Sequence, residues 1–245
     1  KIYREEKFNS PKYYYEKGGY DLLEQEEKEK ATLLKELGFN LNLAPVADIS
    51  TNEDDFIYSR AFGEDKEKTS EFIKNMVTYS NNNKINSCLK HFPGYGNNKD
   101  THTDAVYDNR SYDEISNNDY EPFKAGIKAH VPSILVSHNV VESIDKNYPA
   151  SLSKNIHKEL RNKLKFSGII MTDDLSMGAV NSFNKDKSSA TLAINAGNDI
   201  IITSDFITMR DEILKAYEEG RIKEKTINKA VLRVIAWKYY SGILK

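Results

Sequence analysis

A single cysteine, Cys88, occurs in 245 residues, so no disulfide can form within the chain. It sits inside an apolar run and is expected to pack there. No apolar run is long enough to span a bilayer, and the opening Lys1-Ile2-Tyr3-Arg4-Glu5 does not read as a signal peptide. Neither sign of charge dominates. With 35 basic and 37 acidic residues the formal net charge is −2, and no large basic block occurs, which argues against a nucleic-acid-binding role. Internal repeats, low-complexity tracts and an interdomain linker are also missing. The length suits one α/β domain with a substantial core.

What is present is an alternation. Residues 1–18 are polar and tyrosine-rich, with Tyr13-Tyr14-Tyr15 as the obvious cluster, and read as a loop with aromatic anchors. A helical pattern from about Tyr20 ends at Gly38. Leu41 to Val46 reads as a buried strand ending Ala44-Pro45-Val46-Ala47-Asp48. A long loop containing Arg60 leads to a helix over about 66–81. Ile85 to Leu89 is a second strand, and a helix from about Asn118 to Ala129 precedes a third, Ser133 to Ser137, with His138 at its end. A helix from Ser153 to Leu164 leads into Gly168 to Thr172, which delivers Asp173 and Asp174. A helix near 187–196 and a strand from Asp199 to Thr203 come next. Two helices close the chain, the last with Ile227, Val231, Val234 and Ile235 on one face and Trp237 packing.

Strands alternating with helices imply a parallel sheet, either doubly wound or a (β/α) barrel. Asp48, Lys90, His91, His138 and Asp173 all fall just past strand carboxyl ends. A closed barrel gathers those ends around one site, whereas an open sheet spreads them, so the expectation is a TIM-type (β/α)8 barrel. Only about five strands can be found where such a barrel has eight.

The chemistry centres on residues 90–102. Lys90 and His91 end an apolar run, Pro93-Gly94-Tyr95-Gly96 forms a turn, and Asp100 and His102 lie one residue apart. In Asp-x-His a carboxylate can orient the imidazole and stabilise its protonated form, which suits His102 to proton transfer. Asp173, one step past a buried strand, suits a nucleophile or a metal ligand, with Asp174 supporting it or capping the next helix. Together they would be a variant of the two-carboxylate retaining glycosidase plan. Asp48, Arg60, Lys90 and His91 then suit sugar hydroxyls, since charged groups make the stronger hydrogen bonds. The plainer alternatives are a helix or turn cap for Asp48, a structural ion pair for Lys90 and a solvated loop histidine for His102. His138 is expected to be a satisfied histidine near the core. A metal centre from His91, Asp100, His102 and Asp104 is the weaker alternative, since no His-x-His or His-Glu-x-x-His pair occurs.

Five blocks, in order, carry a resemblance. Leu43 to Asp48, Ser59 to Asp65, Lys90 to Gly94, Tyr148 to Ser153 and Gly168 to Met177 resemble glycoside hydrolase family 3, with its β-N-acetylglucosaminidases the nearest group. The resemblance runs from about Leu41 to the final helix. It implies a retaining β-glycosidase on a TIM-type barrel, acting on N-acetylglucosamine-containing glycans such as peptidoglycan fragments, with no metal or organic cofactor. Asp173 falls on the family's nucleophile, His102 with Asp100 on its acid/base dyad, and Asp48, Arg60, Lys90 and His91 on its sugar-binding positions. A bacterial source and a cell-envelope or secreted location are the corresponding expectations; oligomeric state stays open. Two alternatives remain: a family 3 glycosidase for a glucoside or xyloside, and a non-catalytic carbohydrate-binding relative.

Two departures from the family pattern matter. The family's loop usually reads Phe-Pro-Gly-His-Gly-Asp, where this chain has Phe92-Pro93-Gly94-Tyr95-Gly96-Asn97, and the dyad comes after it at a slightly shorter distance. Lys1-Ile2-Tyr3-Arg4 also resembles the residues just past the end of the family's second strand. The expectation is therefore a single catalytic barrel domain over residues 1–245 that lacks the barrel's first two strands.

Overall fold

A computed structural model describes residues 6–98, 106–181, 183 and 188–244. Its centre is a parallel sheet of β1 (Leu41–Asn42), β2 (Asn86–Phe92), β4 (Ser133–Val136), β6 (Ile169–Asp174) and β7 (Ile200–Ile202), side by side in chain order. Two short strands, β3 (Tyr107–Asp108) and β5 (Val140–Val141), pair apart from it. A doubly wound sheet reverses its strand order at a switch point, and this one does not reverse. Consecutive parallel order with helical crossovers is the winding of a (β/α) barrel, and these strands are a run of its wall.

Strand alternation divides the residues between two faces. Leu89, Ile134, Val136 and Ile170 look outward and pack with Phe72 and Ile73 of α2 (Lys66–Asn82) and Phe123 of α4 (Tyr120–Lys128). Cys88, Leu135, Ile169 and Met171 look inward and share one cluster. Lys90 and Asp173 continue that inner alternation at the carboxyl ends. The register slips between Leu89 and Phe92, which turns Phe92 back onto the outer core, stacked on Tyr120.

The loop expected over residues 1–18 is corrected. Helix α1 spans Pro11–Glu36, with the Ser10 side chain accepting from the Tyr13 N–H and proline at its first position. Gly18 and Gly19 leave helical geometry, so α1 is two helical stretches joined at a kink. The second begins near the expected Tyr20. Tyr15 sits edge-on to Phe62 and Tyr20, and this packing holds the first stretch in place.

The helix expected from Asn118 begins earlier, at α3 (Tyr112–Glu114), and reaches α4 through a π-helical turn at Ile115–Asp119. Helix α5 (Lys154–Lys158) runs on through a second π turn, Glu159–Lys163. Beyond β6 lie α6 (Gly178–Asn181), α7 (Ser189–Ala196), α8 (Phe206–Glu218) and α9 (Glu224–Tyr240). On α9 the packed stripe is Ile227, Val234 and Trp237, whereas Val231 and Ile235 are about half exposed (46% and 49%). Val234 and Trp237 lie against the inner face of the sheet, and the Trp237 indole donates to Asn86 Oδ1 at the amino end of β2 (3.0 Å). Cys88 is fully buried and free.

One buried acid makes this fold pH-sensitive. Glu27 of α1 accepts a hydrogen bond from the Ser80 hydroxyl of α2 (2.7 Å), and burial pushes its carboxyl up to about 7 against that bond and the Lys30 charge. In an unfolded chain a glutamate titrates near about 4.3, so the folded protein keeps a proton that the unfolded chain has released. The stability this adds is full below about pH 4.3 and is lost as pH rises through about 7. Glu27→Gln keeps the acceptor and removes the titration. Urea melts of parent and variant should show the variant gaining relative stability as pH is raised from about 5 to about 8.

Candidate functional site

The site assembles at the carboxyl ends of the strands, and its first organiser is Asp48. The strand expected over Leu41 to Val46 is shorter, β1 being followed only by a bridge from Val46 to Lys90, and this carboxylate is buried two residues past that bridge. It accepts from the His91 backbone N–H (3.1 Å), the Tyr95 N–H (2.8 Å) and His91 Nδ1 (2.7 Å). Of the roughly four lone-pair sites on a carboxylate, three are thereby occupied. Asp48 is not a helix cap; it ties the end of β1 to the turn after β2. The Ala44–Pro45, Lys90–His91 and Phe92–Pro93 peptide bonds at this junction are cis.

His91 is buried. With Nδ1–H donating to Asp48, its Nε2 presents a lone pair to Arg60 Nη2, 3.3 Å away. Asp48, His91 and Arg60 therefore form a chain from the barrel interior to an exposed guanidinium. Tyr95, where the family usually has histidine, is buried with its ring edge-on to His91 (5.5 Å between ring centres).

Lys90 and Asp173 complete the inner rim. Burial pushes the Lys90 ammonium below its usual range and the Arg60 charge adds to this, while the Asp173 charge pulls the other way. Asp173 Oδ1 accepts from the Asp174 N–H (2.9 Å). Asp174 turns elsewhere, accepting from the Ser176 and Ser204 N–H groups and so linking the ends of β6 and β7. Burial raises the Asp174 pKa, but these donors outweigh it and hold the carboxyl below the usual range.

His138 is a satisfied, buried histidine. Burial pushes its pKa down against the pull of the Asp173 charge. The neutral ring has Nε2 2.9 Å from the Asp174 carbonyl, to which it donates, and Nδ1 2.7 Å from the Ser151 hydroxyl, from which it accepts. Asp48, Arg60, Lys90, His91 and Asp173 are thus brought to one end of the sheet. Asp100 and His102 lie outside the described residues, as does Asp104 of the alternative metal set.

Sequence reasoning missed the brace beneath the turn. Arg110 binds Asp108 (2.7 Å) and Asp119 (3.0 Å), and its Nη2 also donates to the Gly94 carbonyl (3.4 Å). Burial pushes the Asp119 carboxyl up to about 6 against the Arg110 charge. A Cβ on Gly94 would stand 2.2 Å from Asp119 Oδ1, and one on Gly96 would stand 2.5 Å from the Arg110 guanidinium carbon. Both glycines also have positive φ, +128° and +58°. The only signal in the sequence was the glycine pair, and nothing there named the partners.

The family model described as "Glycosyl hydrolase family 3 N terminal domain" matches residues 15–237, and the chain belongs to that family. A relative described as an uncharacterized secreted glycosyl hydrolase, from Arthroderma benhamiae, is 33% identical over 223 residues, covering 86% of this chain and 63% of that protein. A protein named β-hexosaminidase from Hydrogenovibrio crunogenus is 31% identical over 201 residues, or 81% of this chain and 56% of its own length. Among solved structures, a family 3 β-N-acetylglucosaminidase from Paenibacillus sp. matches with a TM-score of 0.86 at 27% identity, over 92% of this chain and 44% of that one. A β-N-acetylhexosaminidase from Beutenbergia cavernae matches with a TM-score of 0.81 at 28% identity, over 89% and 68%. The chain therefore spans less than two thirds of the length of these two curated relatives. Among the described residues no helix is long and apolar enough to cross a membrane.

The brace predicts a contrast between two glycines. Gly38→Ala, at positive φ but in open space, should cost about 1 kcal/mol. Gly94→Ala, which meets Asp119 as well, should cost roughly 2 kcal/mol or more. Denaturant melts of both variants check the difference.

Proposed function

We propose that this chain carries the catalytic site of a retaining β-N-acetylglucosaminidase that removes terminal β-linked N-acetylglucosamine from glycans such as peptidoglycan fragments. The observation that carries the reading is the joint position of four charged side chains and one imidazole. Asp173 and Lys90 share the inner rim, with the Asp48–His91–Arg60 chain beside them. The names of the bacterial relatives and of the matching solved structures support the sugar class.

In this mechanism the sugar enters at the carboxyl ends of the strands. His102, oriented by Asp100, protonates the glycosidic oxygen while the Asp173 carboxylate attacks the anomeric carbon, and the bond to the leaving group breaks. His102 then takes a proton from water, which attacks the same carbon and releases Asp173, so configuration is retained. Lys90, Arg60 and His91 Nε2 hold sugar hydroxyls, and Asp48, whose side chain is fully buried, serves the site by fixing His91. Asp174 and His138 keep the Asp173 backbone in place. The reaction calls for no cofactor. The same reading takes residues 1–245 as one catalytic barrel domain.

Hydrolysis of a panel of aryl β-glycosides tests both sugar and mechanism. The N-acetylglucosaminide should be cleaved well ahead of the glucoside and xyloside, and Asp173→Asn should lower kcat/KM by roughly a thousandfold. A glucoside or xyloside cleaved as fast would replace the proposed sugar. A folded Asp173→Asn variant of undiminished rate would remove Asp173 from the chemistry.

A further inference from the structure

At the amino ends of β6 and β7, away from the rim that bears Asp173, two helical faces stand opposite one another. One carries Lys154, Lys158 and Arg161, at spacings of four and three. The other, on α9, carries Lys225, Lys229 and Arg233, at spacings of four and four. The α9 spacings put that trio on a single helical face, and all six side chains line one cleft. Between them lies a cleft of about 370 Å³, within the size range of small-ligand sites.

The two walls are fixed to each other through one buried acid. Asp199, at the foot of β7, accepts from Arg161 Nη2 on one oxygen (2.6 Å) and from Arg233 Nη1 on the other (2.8 Å). Its Oδ2 also accepts from the Ile170 N–H (3.0 Å), which anchors the pair to the sheet. The two arginines are thus spent on Asp199. The four lysines take part in no ion pair among the described residues.

The ammonium groups around this cleft, to which Lys223 adds a fifth, repel one another, and like charges four apart on a helix destabilise it. In a chain of net charge −2 this is a local concentration of positive charge that the composition as a whole does not produce. We propose that this cleft binds a linear anion that carries several phosphate groups and no nucleobase. The two free lysines of each row stand roughly 6 Å apart along their helix, which suits a chain of two or three phosphates better than a single ion. Lysine ammoniums act as point charges toward phosphate oxygens, and each arginine already gives one nitrogen to Asp199. The walls hold no Phe, Tyr or Trp on which a base could stack, which sets the site apart from one for single-stranded nucleic acid. The inference is independent of the glycosidase reading.

Calorimetric titration of the folded protein tests it, with inorganic tripolyphosphate and a synthetic glycerol-phosphate trimer as probes. One or both should bind with one site per chain, and whichever binds more tightly identifies the source of the phosphates. The double variant Lys158→Glu/Lys229→Glu, with one exposed change on each wall, should weaken binding about tenfold or more, and raising salt from about 50 to 200 mM should weaken it as well. Lys74→Glu, on α2 away from the cleft, should leave affinity unchanged. The proposal is overturned if neither probe binds, if Lys74→Glu weakens binding as much as the double variant, or if a thymidine oligonucleotide of equal charge binds as tightly as the better probe.

Discussion

The Asp48 carboxylate is the constraint on which the candidate site depends. One buried acid receives two backbone N–H groups and an imidazole N–H from the turn after β2, and so fixes both the position of His91 and which of its nitrogens faces outward. Removing it would leave buried donors without an acceptor, which costs more than the bonds themselves contribute. The orientation of the His91 ring, the contact with Arg60 and the path of the chain toward Gly94 all depend on it. Asp119 and Arg110 grip the same turn from the other side, and the two glycines leave room for that grip.

Electrostatics then separates the two ends of the barrel wall. At the carboxyl ends, acids and bases are interleaved. Lys90 is pushed down by burial and by Arg60 but pulled up by Asp173, while His138 stays neutral and serves as a hydrogen-bonded strut. At the amino ends, basic side chains gather around a single braced carboxylate. Nearly balanced overall charge therefore conceals two sites of different character.

The parts legible from sequence were those with short-range signals. Apolar runs ending in Asp48, Lys90, His138 and Asp173 marked the strands, because a buried parallel strand reads as a continuous apolar stretch and its polar end as a rim. That Asp173 and Asp174 point different ways was also legible, since neighbours on a strand point to opposite faces. Contacts between distant segments were not. Arg110 with Asp119, and Lys154 with Lys229, are brought together only by the winding of the chain. The helical start at Pro11 was obscured by Gly18-Gly19, which break the periodicity that would have joined Tyr13-Tyr14-Tyr15 to the rest of α1. The face proposed for α9 contained Val231 and Ile235, but the sheet meets the neighbouring stripe through Trp237. Hydrophobic periodicity alone does not distinguish two adjacent apolar stripes.

The central claim is that Asp173 is the nucleophile of a retaining N-acetylglucosaminidase. Its most direct test is the intact mass of the protein after incubation with a fluorinated N-acetylglucosaminide that traps the glycosyl-enzyme, followed by peptide mapping. The account predicts one added sugar, carried on Asp173. An adduct on another residue, or none from a folded sample that still cleaves the aryl N-acetylglucosaminide, would contradict it.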